Sequence, residues 1–458
     1  MNTTTRTFSF EEVIALATER AALPLWIGDD GPRTWADFAA ELAAARQECV
    51  RTGLVPGSVV IVPGEPRLES LAWLFAVALA GSVAAPLRRE REGELASWRS
   101  CLNVDGQVRD GRLVGPGQGT NSPTARRLLG ELTSQGRAGL ILATGGTAGQ
   151  PKLVLHDLGT LLAAIPLRNG RPVRLLPLMR FDHIGGLDMA WRALAGGQVI
   201  VAPPAEIAPE SVAAAIARHR VEVLPATPSF LNLLLISGVM ERHDLASLRV
   251  VPYGAEPMPA GLLGRLRAAL PAVDFVQRFG TTETGALPVR STDSGLVLDG
   301  RVEGYEWKVV DGELWIHSAA RALGYLSGET GGFAGDGWFR TGDLAEQRAD
   351  GTVSVLGRRT ELINVGGEKV LPAEVEGVLL AHESVADCLV YPSQSPVLGQ
   401  VVAAEVVWRG AERDALEVKH LLHQFGRSRL ARHKLPTVVR LVQGIAATRN
   451  LKKTRFQP

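Results

Sequence analysis

The feature that most constrains this chain is the alternation of short β-branched runs with alanine- and leucine-rich stretches along its first two-thirds. One unit has an apolar run at residues 59–62, a helical pattern at 68–80 and a second apolar run at 83–87. Residues 198–224 form a unit of the same kind. A strand, a helix and a further strand in this rhythm predict parallel sheets covered by helices. We therefore expect an α/β fold whose large N-terminal domain contains parallel or mixed sheets.

The pattern changes near residue 300. The runs between residues 300 and 357 are short and are separated by Gly and Asp turns, which is typical of antiparallel hairpins. Beyond them follow a helical pattern, two strand patterns, another helical pattern and a basic tail. We predict an N-terminal core at residues 1–357, a hinge at 358–360 and a small α+β C-terminal domain at 361–458.

Composition excludes several classes of function. The chain has 458 residues, 46% of them hydrophobic and 21% charged, as expected for a compact protein with a large core. Lys plus Arg number 49 against 48 Asp plus Glu, so no overall field attracts nucleic acid or an anionic membrane. The scattered Cys49, Cys101 and Cys388 have neither metal-like spacing nor a disulfide pattern, which favours the cytoplasm.

No targeting or membrane segment is expected. The N-terminus lacks a basic stretch followed by a long apolar core, so it does not resemble a secretory signal. The most apolar window, residues 71–87, is interrupted by Gly81, Ser82 and Pro86. A membrane span needs roughly 20 unbroken apolar residues. We interpret this window as a buried helix that leads into a buried strand.

A glycine-rich loop follows the apolar run at residues 139–143. Its sequence, Thr-Gly-Gly-Thr-Ala-Gly, is followed closely by a Pro-Lys pair. Glycines expose consecutive N–H groups that can surround phosphate oxygens, Thr144 and Thr147 add hydroxyls, and Lys152 adds a positive charge. The spacing matches neither of the common phosphate loops, GxxxxGK[ST] and GxGxxG. Taken alone, the segment is as readily an ordinary turn as a phosphate site.

Two further loops follow apolar strand patterns. His183 is followed by Gly185 and Gly186, so its ring could face a pocket while the backbone stays close to a ligand. Tyr253 and the residues after it lie at the end of a strand pattern, where open α/β folds bind ligands. By themselves, a lone His and a lone loop are more often structural.

The segment from Arg278 to Gly285 is more informative. Phe279 offers a flat face for a base, Thr282 a hydroxyl, and Glu283 a carboxylate of the kind that Mg²⁺ prefers. The structural alternative is a turn with capping residues. Further on, Asp343 could accept both hydroxyls of a ribose.

The remaining candidates lie towards the C-terminus. Gly366 and Gly367 precede a helix with acidic residues in its first turn, which the helix dipole explains on its own. The tail around Lys452 is basic, and on charge alone a solvated tail is the favoured interpretation.

Taken together and in this order, these segments resemble the superfamily of adenylate-forming enzymes. That superfamily comprises acyl- and aryl-CoA ligases, the adenylation domains of peptide synthetases, and beetle luciferases. The resemblance runs from Val55 to Arg455. It implies that residues 300–357 form a β-barrel-like part of the core and that the C-terminal domain is mobile.

The resemblance also implies the site residues. ATP is expected on the loop residues Thr144, Gly145, Gly146, Thr147, Gly149 and Lys152, and on Gly254, Ala255, Glu256, Phe279, Gly280, Thr281, Thr282, Asp343 and Arg358. Phe279 takes the place of the usual Tyr against the base, Thr282 meets the α-phosphate and Glu283 meets Mg²⁺. Asp343 and Arg358 hold the ribose. Lys152, Thr282, Glu283 and Lys452 are the implied catalytic residues.

The other implied sites are less well defined. The acyl pocket is expected at His183, Gly185, Gly186, Phe230, Tyr253 and Gly280. Gly366 and Gly367 would line a pantetheine tunnel, and Thr360 would lie at the hinge. The chain departs from the family pattern at four main positions, with Leu451 before the catalytic lysine, Ala446 upstream of it, Thr360, and Asn364. Ala148 also replaces a loop hydroxyl. Leu451 bears most directly on how Lys452 enters the site.

The implied activity is a two-step ligation. A small carboxylic acid attacks the α-phosphate of ATP, pyrophosphate leaves, and the acyl group passes from the adenylate to the thiol of CoA. The cofactors are then ATP, Mg²⁺ and CoA. The run from His183 through Arg192 to Gly197 most resembles o-succinylbenzoate–CoA ligases and related aryl-acid ligases.

Several alternatives stay open. The acceptor could be the phosphopantetheine of a separate carrier protein. Asp182, beside Phe181, resembles the Phe-Asp of amino-acid-activating domains. Leu451 and Ala148 allow a catalytically weakened homologue that binds a nucleotide for regulation. The oligomeric state is open, with a homodimer among the options.

Overall fold

The structure is a computed structural model that describes residues 7–115, 119–144, 152–168, 170–292, 295–298, 304–328 and 331–445. The described α-helices are α1 (Phe10–Glu19), α2 (Trp35–Arg51), α3 (Leu68–Leu79), α4 (Leu95–Trp98), α5 (Pro123–Ser134), α6 (Leu158–Ala163), α7 (Ile184–Gly196), α8 (Pro209–His219), α9 (Pro228–Ile236), α10 (Val239–Arg242), α11 (Ala260–Ala269), α12 (Pro372–Leu380) and α13 (Ala415–Gly426). Short 3-10 helices lie at Arg89–Glu94, Arg359–Glu361 and Arg432–Lys434.

The described strands alternate with these helices through much of the first half and cluster in the second. They are β1 (Pro24–Gly28), β2 (Gly31–Thr34), β3 (Val59–Pro63), β4 (Val83–Leu87), β5 (Gly106–Arg109), β6 (Arg112–Val114), β7 (Gly139–Thr144), β8 (Lys152–Asp157), β9 (Arg174–Leu175), β10 (Val199–Val201), β11 (Val250–Tyr253), β12 (Asp274–Thr281), β13 (Gly285–Pro288), β14 (Arg290–Thr292), β15 (Gly295–Leu298), β16 (Tyr305–Val310), β17 (Glu313–Ser318), β18 (Gly324–Tyr325), β19 (Trp338–Gln347), β20 (Val353–Arg358), β21 (Ile363–Val365), β22 (Glu368–Val370), β23 (Val385–Ser395), β24 (Gly399–Trp408) and β25 (Val438–Leu441).

The central sheet has seven strands in the order β18-β8-β7-β4-β3-β5-β6. Its inner strands β5, β3, β4 and β7 pair in parallel, whereas β6, β8 and β18 join antiparallel. The apolar window at residues 71–87 becomes the buried helix α3 followed by the buried strand β4, as its interruptions predicted. Both faces of the sheet are covered by apolar side chains, which explains the continuous apolar runs of its parallel strands.

A second sheet runs in the order β2-β1-β10-β9 and is continued by the group β11-β12-β13. Parallel bridges from Leu175 to Val223 and from Val223 to Val250 connect the two parts. The parallel pair β11 and β12 brings their carboxyl ends side by side. Loops that carry candidate ligand residues leave from this edge.

The predicted hairpins form a six-stranded antiparallel sheet in the order β14-β15-β20-β19-β17-β16. The mixed α/β architecture confirms the predicted fold class. After Arg358 the chain forms a separate sheet, β22-β21-β24-β23 with β25 beside β24, which has its own apolar core with α12 and α13.

This C-terminal unit packs on α9 and α11 of the large part. The side-chain amide of Asn232 donates to the Ala386 carbonyl at 3.3 Å, and Arg409 donates to the Ile236 carbonyl at 2.7 Å. Arg265 donates to the Val385 carbonyl at 3.5 Å. Polar contacts of this kind are typical of surfaces between domains that can move relative to each other. None of the described helices combines the length and the apolar character that a membrane crossing requires.

Two helical glycines allow a direct test of the packing. A methyl group on Gly186 in α7 would lie 2.1 Å from the Arg180 carbonyl oxygen, whereas one on Gly130 in α5 would meet nothing within 4 Å. We expect Gly186→Ala to lower the free energy of unfolding by about 2 kcal/mol through overpacking. The matched Gly130→Ala should raise it by about 0.5–1 kcal/mol, because alanine loses less entropy in a helix. Urea denaturation measures both, and equal effects of the two variants would contradict this packing.

Candidate functional site

The site is built around the end of the β7–β8 hairpin. Thr144 and Lys152 are cross-strand partners at the mouth of this hairpin, and the Thr144 hydroxyl lies 3.5 Å from the Lys152 carbonyl oxygen. The loop between them holds Gly145, Gly146, Thr147 and Gly149, which lie outside the described residues, as do Ala148 and Pro151. The strands β7 and β8 therefore fix the positions of the two ends of the predicted phosphate loop.

The turn between β12 and β13 carries Thr282 and Glu283. The Thr281 N–H donates to the Thr284 hydroxyl at 3.2 Å, and both of these threonine side chains are buried. A methyl group on Gly280 would lie 2.1 Å from the Gly285 carbonyl oxygen, so the close approach of β12 and β13 requires glycine at this position. Thr282 and Glu283 are half-buried at the tip of the turn. Of the predicted residues here, Thr281 thus stabilises the turn, and Thr282 and Glu283 are presented by it.

Glu283 and Lys152 are brought together through a residue that sequence analysis missed. The Tyr325 hydroxyl donates to Glu283 Oε1 at 2.7 Å. The Lys152 ammonium lies 5.2 Å from the centre of the same ring, within the usual range of a cation–π contact. No local pattern identifies Tyr325, because its partners lie far away along the chain.

The pair predicted for the ribose is also in direct contact. Asp343 and Arg358 are cross-strand partners on β19 and β20, and Arg358 Nε lies 2.9 Å from Asp343 Oδ1. Arg358 also donates to the Thr341 carbonyl at 2.8 Å, which fixes the guanidinium. The other carboxylate oxygen, Asp343 Oδ2, is buried and has no hydrogen-bond partner among the described residues.

Burial makes the Asp343 carboxyl a weaker acid than usual. Asp343 is only 4% exposed, and this desolvation raises the pKa of its carboxyl to about 6, although the nearby Arg358 guanidinium favours the charged form. A buried acceptor without a partner is costly in free energy, so Oδ2 is suited to receive a hydroxyl donor from a ligand.

The segment of Gly254, Ala255 and Glu256, which the resemblance assigns to ATP, follows β11. A methyl group on Gly254 would lie 2.3 Å from the Arg278 carbonyl, and Ala255 has a left-handed backbone with a φ of +70°. The Glu256 carboxylate accepts the N–H of Ser229 at 2.7 Å at the start of α9. Phe279 packs against the apolar core of the six-stranded sheet. Backbone close approach thus explains Gly254, and Glu256 has a structural partner on α9.

The residues predicted for the acyl pocket fall into two groups. His183 caps α7, where its Nδ1 accepts the Gly185 N–H at 3.2 Å. A methyl group on Gly186 would collide with the Arg180 carbonyl, so the backbone itself requires glycine there, whereas one on Gly185 would collide only with the flexible end of the Met179 side chain. In contrast, Phe230 and Tyr253 are buried in one apolar cluster with the helices that cover the second sheet. His183, Gly185 and Gly280 are the more accessible members of the set.

Two further groups, the buried His156 and the half-buried Arg278, were also missed. His156 lies in β8, where complete burial lowers the pKa of its imidazole to about 4, so the ring is neutral at neutral pH. Arg278 is held with Arg192 and Asp188, and Arg192 donates to the Asp188 carboxylate at 2.8 Å. Burial lowers the pKa of Arg278. Neither residue has a charge pattern in the sequence that would single it out.

Asp182 has partners that bear on amino-acid activation. Its buried carboxylate oxygen Oδ2 accepts from Arg88 Nε at 2.9 Å and from Arg91 Nη1 at 2.8 Å. A carboxylate held by two guanidinium groups is poorly placed to bind a substrate amine as well. This geometry weakens the amino-acid alternative.

The predicted C-terminal residues are only partly described. Thr360 lies in the exposed 3-10 helix at Arg359–Glu361. Gly366 and Gly367 form the turn between β21 and β22 with φ values of +59° and +100°, a backbone that favours glycine. The Asn364 N–H donates to the Gln400 side chain at 2.8 Å. Lys452, Leu451 and Ala446 lie outside the described residues.

Comparison with protein families identifies the chain's relatives. Residues 131–326 match the family described as AMP-binding enzyme, and residues 374–452 match the AMP-binding enzyme C-terminal domain, which together make up more than half of the chain. This chain belongs to the AMP-binding enzymes.

The relatives of this AMP-binding enzyme include ligases with different acceptors. It is 35% identical over 312 residues to 4-coumarate–CoA ligase 2 of Oryza sativa subsp. japonica, across 60% of this chain and 54% of the relative. The chain thus spans about half the length of that relative. It is 29% identical to the L-proline–[L-prolyl-carrier protein] ligase of Pseudomonas fluorescens, across 92% of this chain and 87% of the relative. It is 27% identical to the 2-succinylbenzoate–CoA ligase of Bacillus cereus, across 92% of this chain and 91% of the relative.

Solved structures share the fold of this AMP-binding enzyme. The anthranilate CoA ligase AuaEII in complex with anthranoyl-AMP has a TM-score of 0.80 at 20% identity and covers 98% of this chain and 96% of its own. The amide bond synthetase McbA from Marinactinospora thermotolerans has a TM-score of 0.74 at 22% identity, with coverage of 97% and 98%. These structural similarities confirm the predicted fold, and the family matches confirm the predicted superfamily.

We expect nucleotide binding to depend on the protonation state of the Asp343 carboxyl. Because its raised pKa lies near 6, the carboxylate is protonated below that pH and loses an acceptor for ribose hydroxyls. We expect the Kd for ATP to rise by up to roughly tenfold per pH unit below about pH 6, measured by calorimetry between pH 5 and 8. In Asp343→Asn the affinity should be low throughout. 2′,3′-Dideoxy-ATP has the same titrating phosphates but no ribose hydroxyls, so an equal pH dependence for both nucleotides would contradict the assignment.

Proposed function

We propose that this AMP-binding enzyme activates a carboxylic acid as an acyl-adenylate and transfers the acyl group to the thiol of CoA. The observation that carries this proposal is the convergence of Lys152 and Glu283 on Tyr325, near the Asp343–Arg358 pair, whose buried Oδ2 has no hydrogen-bond partner among the described residues. A cation, a carboxylate and a ribose-type acceptor, contributed by three different sheets, are the groups that an ATP site needs. The family match supports the same conclusion.

In the first step a carboxylate oxygen of the acid attacks the α-phosphorus of ATP. The bond between that phosphorus and the oxygen that bridges to the β-phosphate breaks, and pyrophosphate leaves. Both reactants are anions, so alignment and charge neutralisation matter more than proton transfer. We assign Lys152 and the loop from Thr144 to the phosphates, Thr282 to the α-phosphate, and Asp343 with Arg358 to the ribose.

Glu283 is suited to Mg²⁺ in the presence of ATP. No group of three or more His, Cys, Asp or Glu side chains in the described part of the chain could hold a metal by itself. Mg²⁺ usually binds one or two carboxylates together with substrate phosphates, and the Glu283 carboxylate fits that requirement. The ion would neutralise charge on the phosphate oxygens.

The second step needs a thiol in the place that the catalytic lysine has left. We propose that the C-terminal domain rotates about the hinge at Thr360, so that Lys452 leaves and Gly366 and Gly367 come to line the path of a pantetheine. The thiolate sulfur then attacks the acyl carbon, and AMP leaves with the electrons of the acyl–phosphate bond. The polar contacts of Asn232, Arg265 and Arg409 between the two units support such a rotation.

The acid is best supported as an aryl or acyl acid. Relatives are named for 4-coumarate, 2-succinylbenzoate and indoleacetate, all of which carry an aromatic ring. We assign the acid to the start of α7 at His183, Gly185 and Gly186, with Gly280 opposite, and the engaged carboxylate of Asp182 argues against an amino acid. Phe230 and Tyr253 would shape this pocket from beneath.

Two alternatives remain as outcomes of experiment. The proline carrier-protein ligase among the relatives favours a carrier-bound phosphopantetheine as the second candidate acceptor. A regulatory nucleotide-binding homologue is disfavoured, because Lys152, Glu283, Asp343 and Arg358 are all present and all four lie in direct contacts of the site. We place the reaction in the cytoplasm on the cysteine pattern.

The first step can be tested through Lys452. The wild-type enzyme should support exchange between pyrophosphate and ATP with one or more members of a panel of aryl and acyl acids. Lys452→Ala should reduce this exchange by roughly 100-fold or more, because a charge that stabilises the transition state is lost, and should change thiol transfer from a pre-formed adenylate by less than about threefold. The adjacent Lys453→Ala is the matched control. Exchange at the wild-type rate in Lys452→Ala would refute the assigned role, and exchange with no acid would refute the ligase function.

The acceptor can be tested separately with the best acid from that panel. We expect thioester formation with CoA to exceed that with a panel of pantetheinylated carrier proteins by at least about tenfold in kcat/KM. Mass spectrometry of CoA thioesters and of loaded carriers gives both rates. A preference for a carrier protein would show that CoA is not the acceptor and would leave the proposed adenylation step unaffected.

A further inference from the structure

Tyr325 occupies a position between two functional groups that are distant in sequence. Its hydroxyl donates to Glu283 Oε1 at 2.7 Å, and its ring lies under the Lys152 ammonium at 5.2 Å. The residue is 5% exposed, so both contacts are largely shielded from water. A hydrogen bond to a charged group in such surroundings is stronger than an exposed one.

The backbone around Tyr325 is rigidly connected to both partners. Tyr325 pairs with Val154 on β8, the strand that begins with Lys152. Hydrogen bonds of 2.7 Å from Leu323 to Leu155 and of 2.9 Å from Leu326 to Leu153 complete this connection. On the other side, the Ala322 N–H donates to the Glu283 carbonyl at 2.7 Å. One short segment therefore joins the lysine strand to the carboxylate turn.

The ring orientation is set by close neighbours. The Phe333 ring packs edge-on against Tyr325 with 5.2 Å between centroids. Gly331 has a left-handed backbone, and a methyl group there would lie 2.3 Å from the Tyr325 ring. The aromatic ring is thus held so that its face meets Lys152 while its hydroxyl meets Glu283.

This arrangement divides the two contacts between two parts of one side chain. The ring face attracts the cation through its quadrupole. The phenolic O–H occupies one carboxylate oxygen and limits the rotation of the Glu283 side chain, which leaves the remaining acceptor sites in a defined direction. A metal bound by one protein carboxylate depends strongly on such outer contacts.

We propose that Tyr325 is a positioning residue that couples the phosphate-binding lysine to the metal-binding carboxylate. Its hydroxyl orients Glu283 for Mg²⁺, and its ring orients Lys152 for the nucleotide phosphates. This inference rests on the proposed function for the roles of Lys152 and Glu283. It adds a residue that touches neither substrate nor metal and acts through Lys152 and Glu283.

The test separates the two halves of the side chain by measuring ATP binding, without turnover, in the presence of Mg²⁺ and in EDTA. Tyr325→Phe keeps the ring and removes the hydroxyl. We expect its Kd in EDTA to stay within about threefold of wild type, while the factor by which Mg²⁺ tightens ATP binding falls by about tenfold. Tyr325→Leu removes both contacts and should also weaken binding in EDTA by about threefold to tenfold. Calorimetry gives the six Kd values, for the wild type and the two variants with Mg²⁺ and in EDTA.

Controls make the result specific. In a Glu283→Gln background, Tyr325→Phe should cause no further loss of the Mg²⁺ effect, because the two groups act as one unit. Tyr391→Phe, in the C-terminal sheet, should leave all affinities unchanged. Circular dichroism confirms folding, and if Tyr325→Leu does not fold, the cycle of Tyr325→Phe and Glu283→Gln still decides the question.

The proposal is overturned if Tyr325→Phe retains the full Mg²⁺ effect, or if its loss is the same with and without the Glu283 carboxylate. Because binding is measured without an acid, the absence of acid-dependent exchange would count against the ligase function and not against this coupling.

Discussion

The site depends on the hydrogen-bond ladder of β8. This strand pairs with β7 on one side and with β18 on the other, both antiparallel. The first pairing sets Thr144 opposite Lys152 at the two ends of the phosphate loop. The second sets Tyr325 beside the lysine strand, and through Ala322 it also fixes the turn that carries Glu283. A shift of one residue in either pairing would turn Lys152 to the opposite face of the sheet.

Burial then gives the polar groups of the site their chemical character. Asp343 is kept inside the protein with one oxygen on Arg358 and the other without a partner among the described residues, which raises the pKa of its carboxyl. His156 is buried in β8 and is neutral for the same reason of desolvation. Each group loses solvation free energy in the folded protein, and Asp343 can recover part of it by binding a hydroxyl donor. The buried Asp343 oxygen therefore both costs free energy in the folded protein and offers an acceptor for a ligand hydroxyl.

Much of this could be predicted from the sequence, and the reasons for the exceptions are physical. The alternation of strands and helices and the loop after β7 follow from local period and turn chemistry, and Glu283 follows from residue type. The pairing of Asp343 with Arg358 followed from the resemblance to the adenylate-forming enzymes. The roles of several other residues could not be predicted from local sequence patterns. Gly186 is required by its close approach to the Arg180 carbonyl, so backbone packing explains this glycine without a ligand. Phe230 and Tyr253 are apolar core residues, which a motif position cannot distinguish from a pocket wall.

By itself the sequence determined the α/β class, the order of the motifs and the chemical types available to an ATP site, because these depend on periods of two and 3.6 residues and on short turns. Only the tertiary structure decided which distant side chains meet. Tyr325 between Lys152 and Glu283, the two arginines on Asp182 and the buried His156 result from strand register and packing between segments far apart in the chain. Such contacts are set by how sheets pair and how layers pack, and no local pattern records them.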